Sequence, residues 1–269
     1  MNKLIYSLFL TLIVLIAAPL SAEEYLRLAT TTSTENSGLL AELNPVFEKK
    51  TGIKVHVIAV GTGKALRLGR DGDVDLVMVH APVAEMAFVE QGSGIERQAL
   101  MHNDFVLLGP PDDPAGISEA STVAEAFKRI QNTGSTFVSR GDDSGTHKKE
   151  KQLWALAGSE DPSGEWYLAV GQGMGQVLRI ADEKVAYTLS DRGTYLAFSD
   201  KLLLQVLFEN ADELINPYHV ILVNPEKHPH TKTNLARKYV AFITGPEGQA
   251  LIRNFKVNGK QLFHPDVMK

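Results

Sequence analysis

The spacing of apolar and polar positions changes repeatedly along this chain. YLRLATTTS alternates with a period of two and then runs into hydroxyl residues at Thr30 to Ser33, while KVHVIAV and DVDLVMVH read as two further strands. Helical spacing separates them. LLAEL opens a helical region, and NPVFEKKTG predicts a second helical start, with Asn44 as the N-cap, Pro45 in the first position and Gly52 as the stop. GTG precedes the helical KALRLGRDG, and APVAEMAFVEQG follows the third strand. This succession predicts an α/β protein with a mostly parallel sheet covered by helices.

At Phe105 to Pro114 the text becomes FVLLGPPDDP, a short apolar run followed by prolines, glycine and aspartates. It predicts a crossing into a second lobe. That lobe would hold the helix TVAEAFKRIQNTG, the strand STFVSR, the loop and helix of SRGDDSGTHKKE, and the strand KVAYTLSD. NPYHVILVN then carries the chain back, and the helices NLARKYVAFIT and GQALIRNF complete the first lobe. The expected organisation is residues 23–109 with 216–269 as one lobe and 110–215 as the other. Four strand-like runs end in Ser, Thr or Gly at a helix start, in ATTTSTENSG, AVGTGKAL, SRGDDSGTHKKE and TLSDRGTYLAF. In a two-lobed α/β protein such starts converge on the cleft, where ligands of open sheets bind.

The first 22 residues, MNKLIYSLFLTLIVLIAAPLSA, carry Lys3, an apolar run and small residues. They predict a secretory signal peptide cut after Ala22, which places the mature protein in the periplasm. An uncleaved anchor is the alternative, but the run is shorter than the roughly 20 apolar residues a spanning helix needs. With no cysteine the chain has no disulfide, no thiol chemistry and no lipid-modified cysteine. Cleavage removes one positive and no negative charge, so the formal net charge moves from -5 to -6. That balance argues against nucleic-acid binding, which leaves a basic footprint. An anionic ligand would have to be held by local donors rather than by the global field.

SRGDDSGTHKKE is the most specific source of such donors. Asp143 or Ser144 can cap the following helix, leaving the N–H groups of Gly145 and Thr146 to face an oxyanion beside the Ser144 and Thr146 hydroxyls. Arg140 adds a planar fork of donors, with one aspartate free to orient it. TTTST offers Thr31, Thr32 and Ser33 in the same way, although Thr32 and Glu35 also fit an ordinary capping box. GTG adds Thr62, which could equally cap the helix near Lys64. TLSDRGTY adds Ser190, Arg192 and Thr194, with Arg192 able instead to bridge the lobes or pair with Asp191. Ser144, His147 and Asp142 or Asp143 form a superficial catalytic set, but the spacing lacks a strained elbow that would expose the serine. His228 and His230 read as solvated loop residues, without the carboxylate or cysteine company of a metal site. Trp154 and Trp166 are the only tryptophans available to stack on a sugar.

TTTSTENSGLL, VGTGKAL, DLVMVHAPVAE and above all SRGDDSGTHKKE resemble the periplasmic tungstate-binding proteins of ABC importers, over nearly all of the mature chain. The resemblance implies a two-lobed type II periplasmic binding protein fold, closing on a tungstate dianion with no cofactor, no protein-bound metal and no catalysis. It implies binding positions at Thr31, Thr32, Ser33, Thr62, Arg140, Ser144, Gly145 and Thr146, with Arg192 less firmly supported, and a monomer that delivers its ligand to a membrane permease. Molybdate, of the same charge and shape, is the nearest alternative ligand. Phosphate is the next: it keeps a proton near neutral pH and needs a carboxylate acceptor, which Asp142 or Asp143 could supply. A periplasmic serine hydrolase is the alternative from another class.

Overall fold

The computed structural model describes residues 24–267, so the signal peptide expected at 1–22 lies outside the described residues. The chain begins with β1 (Tyr25–Thr31), α1 (Thr32–Asn36), α2 (Leu39–Thr51), β2 (Lys54–Val60), α3 (Thr62–Asp71), β3 (Leu76–Val79), α4 (Pro82–Glu90) and the long β4 (Gly94–Gly109). Its middle holds α5 (Val123–Thr133), β5 (Phe137–Ser139), α6 (Gly145–Leu156), β6 (Tyr167–Ala169), α7 (Met174–Glu183), β7 (Thr188–Asp191), α8 (Arg192–Phe198) and β8 (Gln205–Phe208). It ends with β9 (Ile215–Val223), α9 (Thr233–Thr244), α10 (Pro246–Asn254) and the short β10 (Lys256–Val257), β11 (Lys260–Gln261) and β12 (His264–Pro265).

The main sheet runs β12-β4-β9-β3-β1-β2. β1 pairs parallel with β2 and β3, as the strand-helix repeat predicts, and β5 pairs parallel with β6. The expected mostly parallel arrangement stops there. β9 lies antiparallel to both β3 and β4, so the main sheet as a whole is mixed. The reason is connectivity: β4 leaves for the second lobe and β9 returns from it, and a chain that returns beside its own outgoing strand runs the opposite way. β4 pairs with β9 up to Asp104 and with β7 from Phe105 onward, so one strand serves both lobes.

The amphipathic faces decide the packing. Leu39, Leu40, Leu43 and Phe47 of α2 are buried on one side, and Phe47 meets Tyr239 of α9 edge to face at 5.1 Å. Such a pair adds about 0.5–1.5 kcal/mol beyond its buried area. No second helix begins at Asn44: α2 runs through Pro45, and the buried Asn44 accepts a 2.7 Å hydrogen bond from the Tyr239 hydroxyl. An interior proline costs about 3 kcal/mol, and the continuous apolar face on both sides of it offsets that cost. Gly52 does end the helix, at φ 73°. The second lobe packs around Trp154, which is fully buried with Phe127 and Phe137 edge-on at 4.5 and 5.2 Å.

Candidate functional site

A cavity of about 510 Å³ lies where α1 of the first lobe faces β5, α7 and α8 of the second. Thr32, Ser33 and Asn36 of α1 and its C-cap Ser37 line it, with Arg140 from just past the end of β5. The start of α7 contributes Gly173 to Gln176, and the start of α8 contributes Asp191, Gly193 and Thr194. Gly173 caps α7 without a side chain, so no hydroxyl or carboxylate of the cap claims the first free N–H groups of that helix. A side chain at Gly175 would come within 2.8 Å of Phe198, so glycine is what lets α7 seat against α8. The sequence reading missed this face. Its signal was the GQGMGQ run ahead of a helix, with none of the hydroxyl residues that mark the other starts.

The TTTST segment divides into two roles. Thr31, rather than Thr32, caps α1: its Oγ1 accepts from the Thr34 N–H at 3.2 Å and touches the Ser33 and Thr34 hydroxyls at 3.0 and 2.7 Å. Thr31 is buried, while Thr32 and Ser33 reach the cavity. Below them sits His80, which the sequence reading passed over. The Asn216 amide nitrogen donates to Asn103 at 2.7 Å, so its oxygen accepts from His80 Nδ1–H at 3.0 Å. That leaves His80 Nε2 as an acceptor, 3.1 Å from Thr31 Oγ1 and 3.4 Å from Ser33 Oγ. Burial holds the ring's pKa below the ordinary histidine value against the opposing pull of Asn216, Asp191 and Glu85, so the ring is neutral.

At SRGDDSGTHKKE the two aspartates behave differently. Arg140 donates from Nε and an Nη to Asp142 at 3.1 and 2.5 Å, and Asp142 also accepts from the Ser144 N–H at 3.2 Å. Burial pushes the Asp142 carboxyl up, but hydrogen bonds from Ser144 and Arg140 outweigh it and hold the pKa below the usual range. Asp143 is exposed and left-handed at φ 57°, and its N–H donates to His147 Nδ1 at 3.0 Å. Ser144 caps α6 by accepting from the His147 backbone N–H, so no bond joins its hydroxyl to the His147 ring and the catalytic set does not form. Gly141 makes the turn after Arg140 at φ 60°, where a side chain would press against Ala169 at 3.0 Å.

Of the other expected site residues, Ser144, Gly145 and Thr146 adjoin the cavity rather than line it. A side chain at Gly145 would lie 3.6 Å from His80, which puts the start of α6 beside the hydroxyl cluster. Thr62 opens α3 just past the end of β2, one strand over from Thr31, and does not line the cavity. Arg192 points away. It grips Asp104 with two 2.6 Å bonds and Glu209 with one of 2.5 Å, and it lines a separate cavity of about 450 Å³ beside the interlobe strands. Asp191, the alternative partner considered for Arg192, instead caps α8 by accepting from the Thr194 N–H and hydroxyl at 2.8 and 2.7 Å. His228 and His230 bond to the carbonyls of Arg70 and Gly72 at the end of α3, at 2.8 and 3.0 Å. Trp154 and Trp166 pack together in the second lobe and offer no platform to the cavity.

Residues 18–247 match the model of the PBP superfamily domain. The tungstate-binding protein TupA of Peptoclostridium acidaminophilum is 45% identical over 246 residues, covering 90% of this chain and 86% of that one. The chain belongs to the TupA family. Among solved structures, the TupA family member of Desulfovibrio alaskensis G20, a tungstate-binding protein, superposes with a TM-score of 0.84 at 48% identity, over 90% of this chain and 99% of that one. The structure described as the tungstate ABC transporter from Geobacter sulfurreducens gives 0.79 at 55% identity, over 87% and 100%. A two-lobed type II binding fold is therefore the architecture of this chain as well as the expectation from its sequence.

Proposed function

We propose that this protein is an extracytoplasmic solute-binding protein that captures tungstate in the cleft and delivers it to the permease of an ABC importer. The observation that carries the reading is the set of donor-bearing residues lining one cavity: Thr32, Ser33, Arg140 and the start of α7, whose Gly173 cap carries no side chain. A fully deprotonated tetrahedral dianion offers acceptors only, and these groups meet it with donors. Membership of the TupA family supports the same ligand. Molybdate, with equal charge and shape, fits the same donors. Ser144 to Thr146, which adjoin the cavity, would join the site when the lobes close, with β4 and the start of β9 as the crossing segments. A cavity of about 510 Å³ has more room than a four-oxygen anion fills, and closure would bring its walls onto the ligand. The protein acts in the periplasm as a monomer after signal-peptide removal, without a cofactor.

Phosphate fits less well. A protonated anion needs a carboxylate acceptor, and Asp142, already accepting from Arg140 and the Ser144 N–H, and Asp191, already accepting from Thr194, would each have to add the ligand's proton to bonds already made. Thermal denaturation of the ligand-free protein with each anion tests the reading, since a ligand at a hundred times its Kd stabilises by about 2.7 kcal/mol. Tungstate should raise the melting temperature, with phosphate leaving it unchanged. A rise with phosphate alone would reverse the assignment.

A further inference from the structure

Beneath Arg140 lies a carboxylate that the binding reading does not use. Glu150, on α6, is only 2% exposed. Its Oε2 accepts from the Ser139 hydroxyl at 2.8 Å and its Oε1 from the Tyr167 hydroxyl at 2.7 Å. One carboxylate thereby ties together β5, β6 and α6, the elements that carry Arg140 and the start at Ser144. The Trp154 indole N–H and the Arg140 backbone N–H also face it, without full hydrogen-bond geometry. No salt bridge to Glu150 is made among the described residues, and the strongest influences on it are burial and the neutral donors of Tyr167, Ser139, Trp154 and the Arg140 backbone. It is a buried acid hydrogen-bonded by neutral donors, next to Arg140, which lines the cavity.

We propose that Glu150 is a positioning residue of the oxyanion site that takes up a proton when a dianion binds over Arg140. The inference rests on the cleft being the anion site. Burial pushes the Glu150 carboxyl up to about 7 in the free protein, against the pull of the Tyr167 and Ser139 hydroxyls. A dianion arriving above it disfavours a second negative charge below, so the carboxyl's pKa rises further and a proton is bound. The sign follows. Below pH 7 Glu150 is already protonated and affinity is flat, whereas above pH 7 the anion must first recruit a proton and affinity falls. The other groups around the site are silent in this window. His80 and His147 both have pKa values lowered chiefly by burial and are neutral there, and Asp142 is held ionised by Ser144 and Arg140.

Calorimetric titration with sodium tungstate across this range, in buffers of different ionisation enthalpy, reads both the affinity and the protons taken up. Wild type should weaken by up to about tenfold between pH 7 and about pH 8.5 and take up at most one proton. Glu150→Gln, neutral and close in shape, should bind tungstate with a flat profile and no uptake, and more tightly than wild type at the alkaline end. Tyr167→Phe removes a donor that favours the charged carboxylate, so its decline should begin at higher pH, which keeps the inference testable if the glutamine variant does not fold. Tungstate binding with a flat wild-type profile, or uptake that survives Glu150→Gln, overturns the role of Glu150 and leaves the site standing. Failure of wild type to bind tungstate at any pH overturns both.

Discussion

His80 and Asn216 are joined by a 3.0 Å hydrogen bond that fixes which ring nitrogen faces Thr31 and Ser33. The bond connects the floor of the cleft to the interlobe strands, because Asn216 lies at the start of β9 and pairs with Asn103 of β4. Tyr218 stacks on the face of the ring at 4.5 Å. Replacing His80 with Phe keeps the stack but strands the Asn216 oxygen and frees the hydroxyl cluster. Unfolding by urea should show a loss of about 1–3 kcal/mol, the cost of an unsatisfied buried group. Calorimetry should show weaker tungstate binding.

The same histidine gives a pH dependence. Its folded pKa is lowered by burial, so the unfolded chain binds the extra proton first as pH falls. The stability from a neutral His80 is complete above the ordinary histidine value of about 6.5 and is lost as pH drops through the lower folded value. Comparing wild type with His80→Phe by denaturant melts at neutral and mildly acidic pH should show the acid loss shrinking in the variant. An equal loss in both would remove His80 as its source.

Arg140 holds Asp142 through a fork and still faces the cavity. Arg140→Lys retains the charge but loses the planar geometry, and a hydrogen bond to a charged group is worth about 1.5–3 kcal/mol. Tungstate affinity should fall by roughly ten- to a hundredfold, with looser discrimination against molybdate. His147→Ala should matter far less, since its ring serves the Asp143 N–H.

Arg192 was an expected ligand contact, and its position predicts a different phenotype. Arg192→Met leaves Asp104 and Glu209 without their shared cation, so the melting temperature should drop while tungstate affinity stays within a few-fold of wild type. A tenfold or greater loss of affinity in a well-folded variant would return Arg192 to the site.

Much of this arrangement is legible in the chain because its signals are local. The capped starts at Ser144 and Thr122, the glycine stops at Gly52 and Gly134, and the hydroxyl run at Thr31 to Ser33 all act within a few residues. What escaped the reading is non-local or lacks a side chain. The first half of β4 was missed because register shifts between Ile95 and Gln98, and between Ala99 and Met101, break its alternation. The partner of Arg192 lies 88 residues away, and no pattern around TLSDRGTY points to Asp104. The start of α7 has a glycine cap and so no capping side chain to mark it. His80 looks like any residue ending a strand until Asn216 is folded against it.

Calorimetric titration of the ligand-free wild-type protein with tungstate, molybdate, phosphate and sulfate near pH 7 tests the central claim most directly. The donor-rich cleft predicts one tungstate per chain with nanomolar affinity, about -12 kcal/mol, followed by molybdate, with no binding of phosphate. Tight phosphate binding, abolished by Asp142→Asn or Asp143→Asn, together with weak or absent tungstate binding, would contradict it.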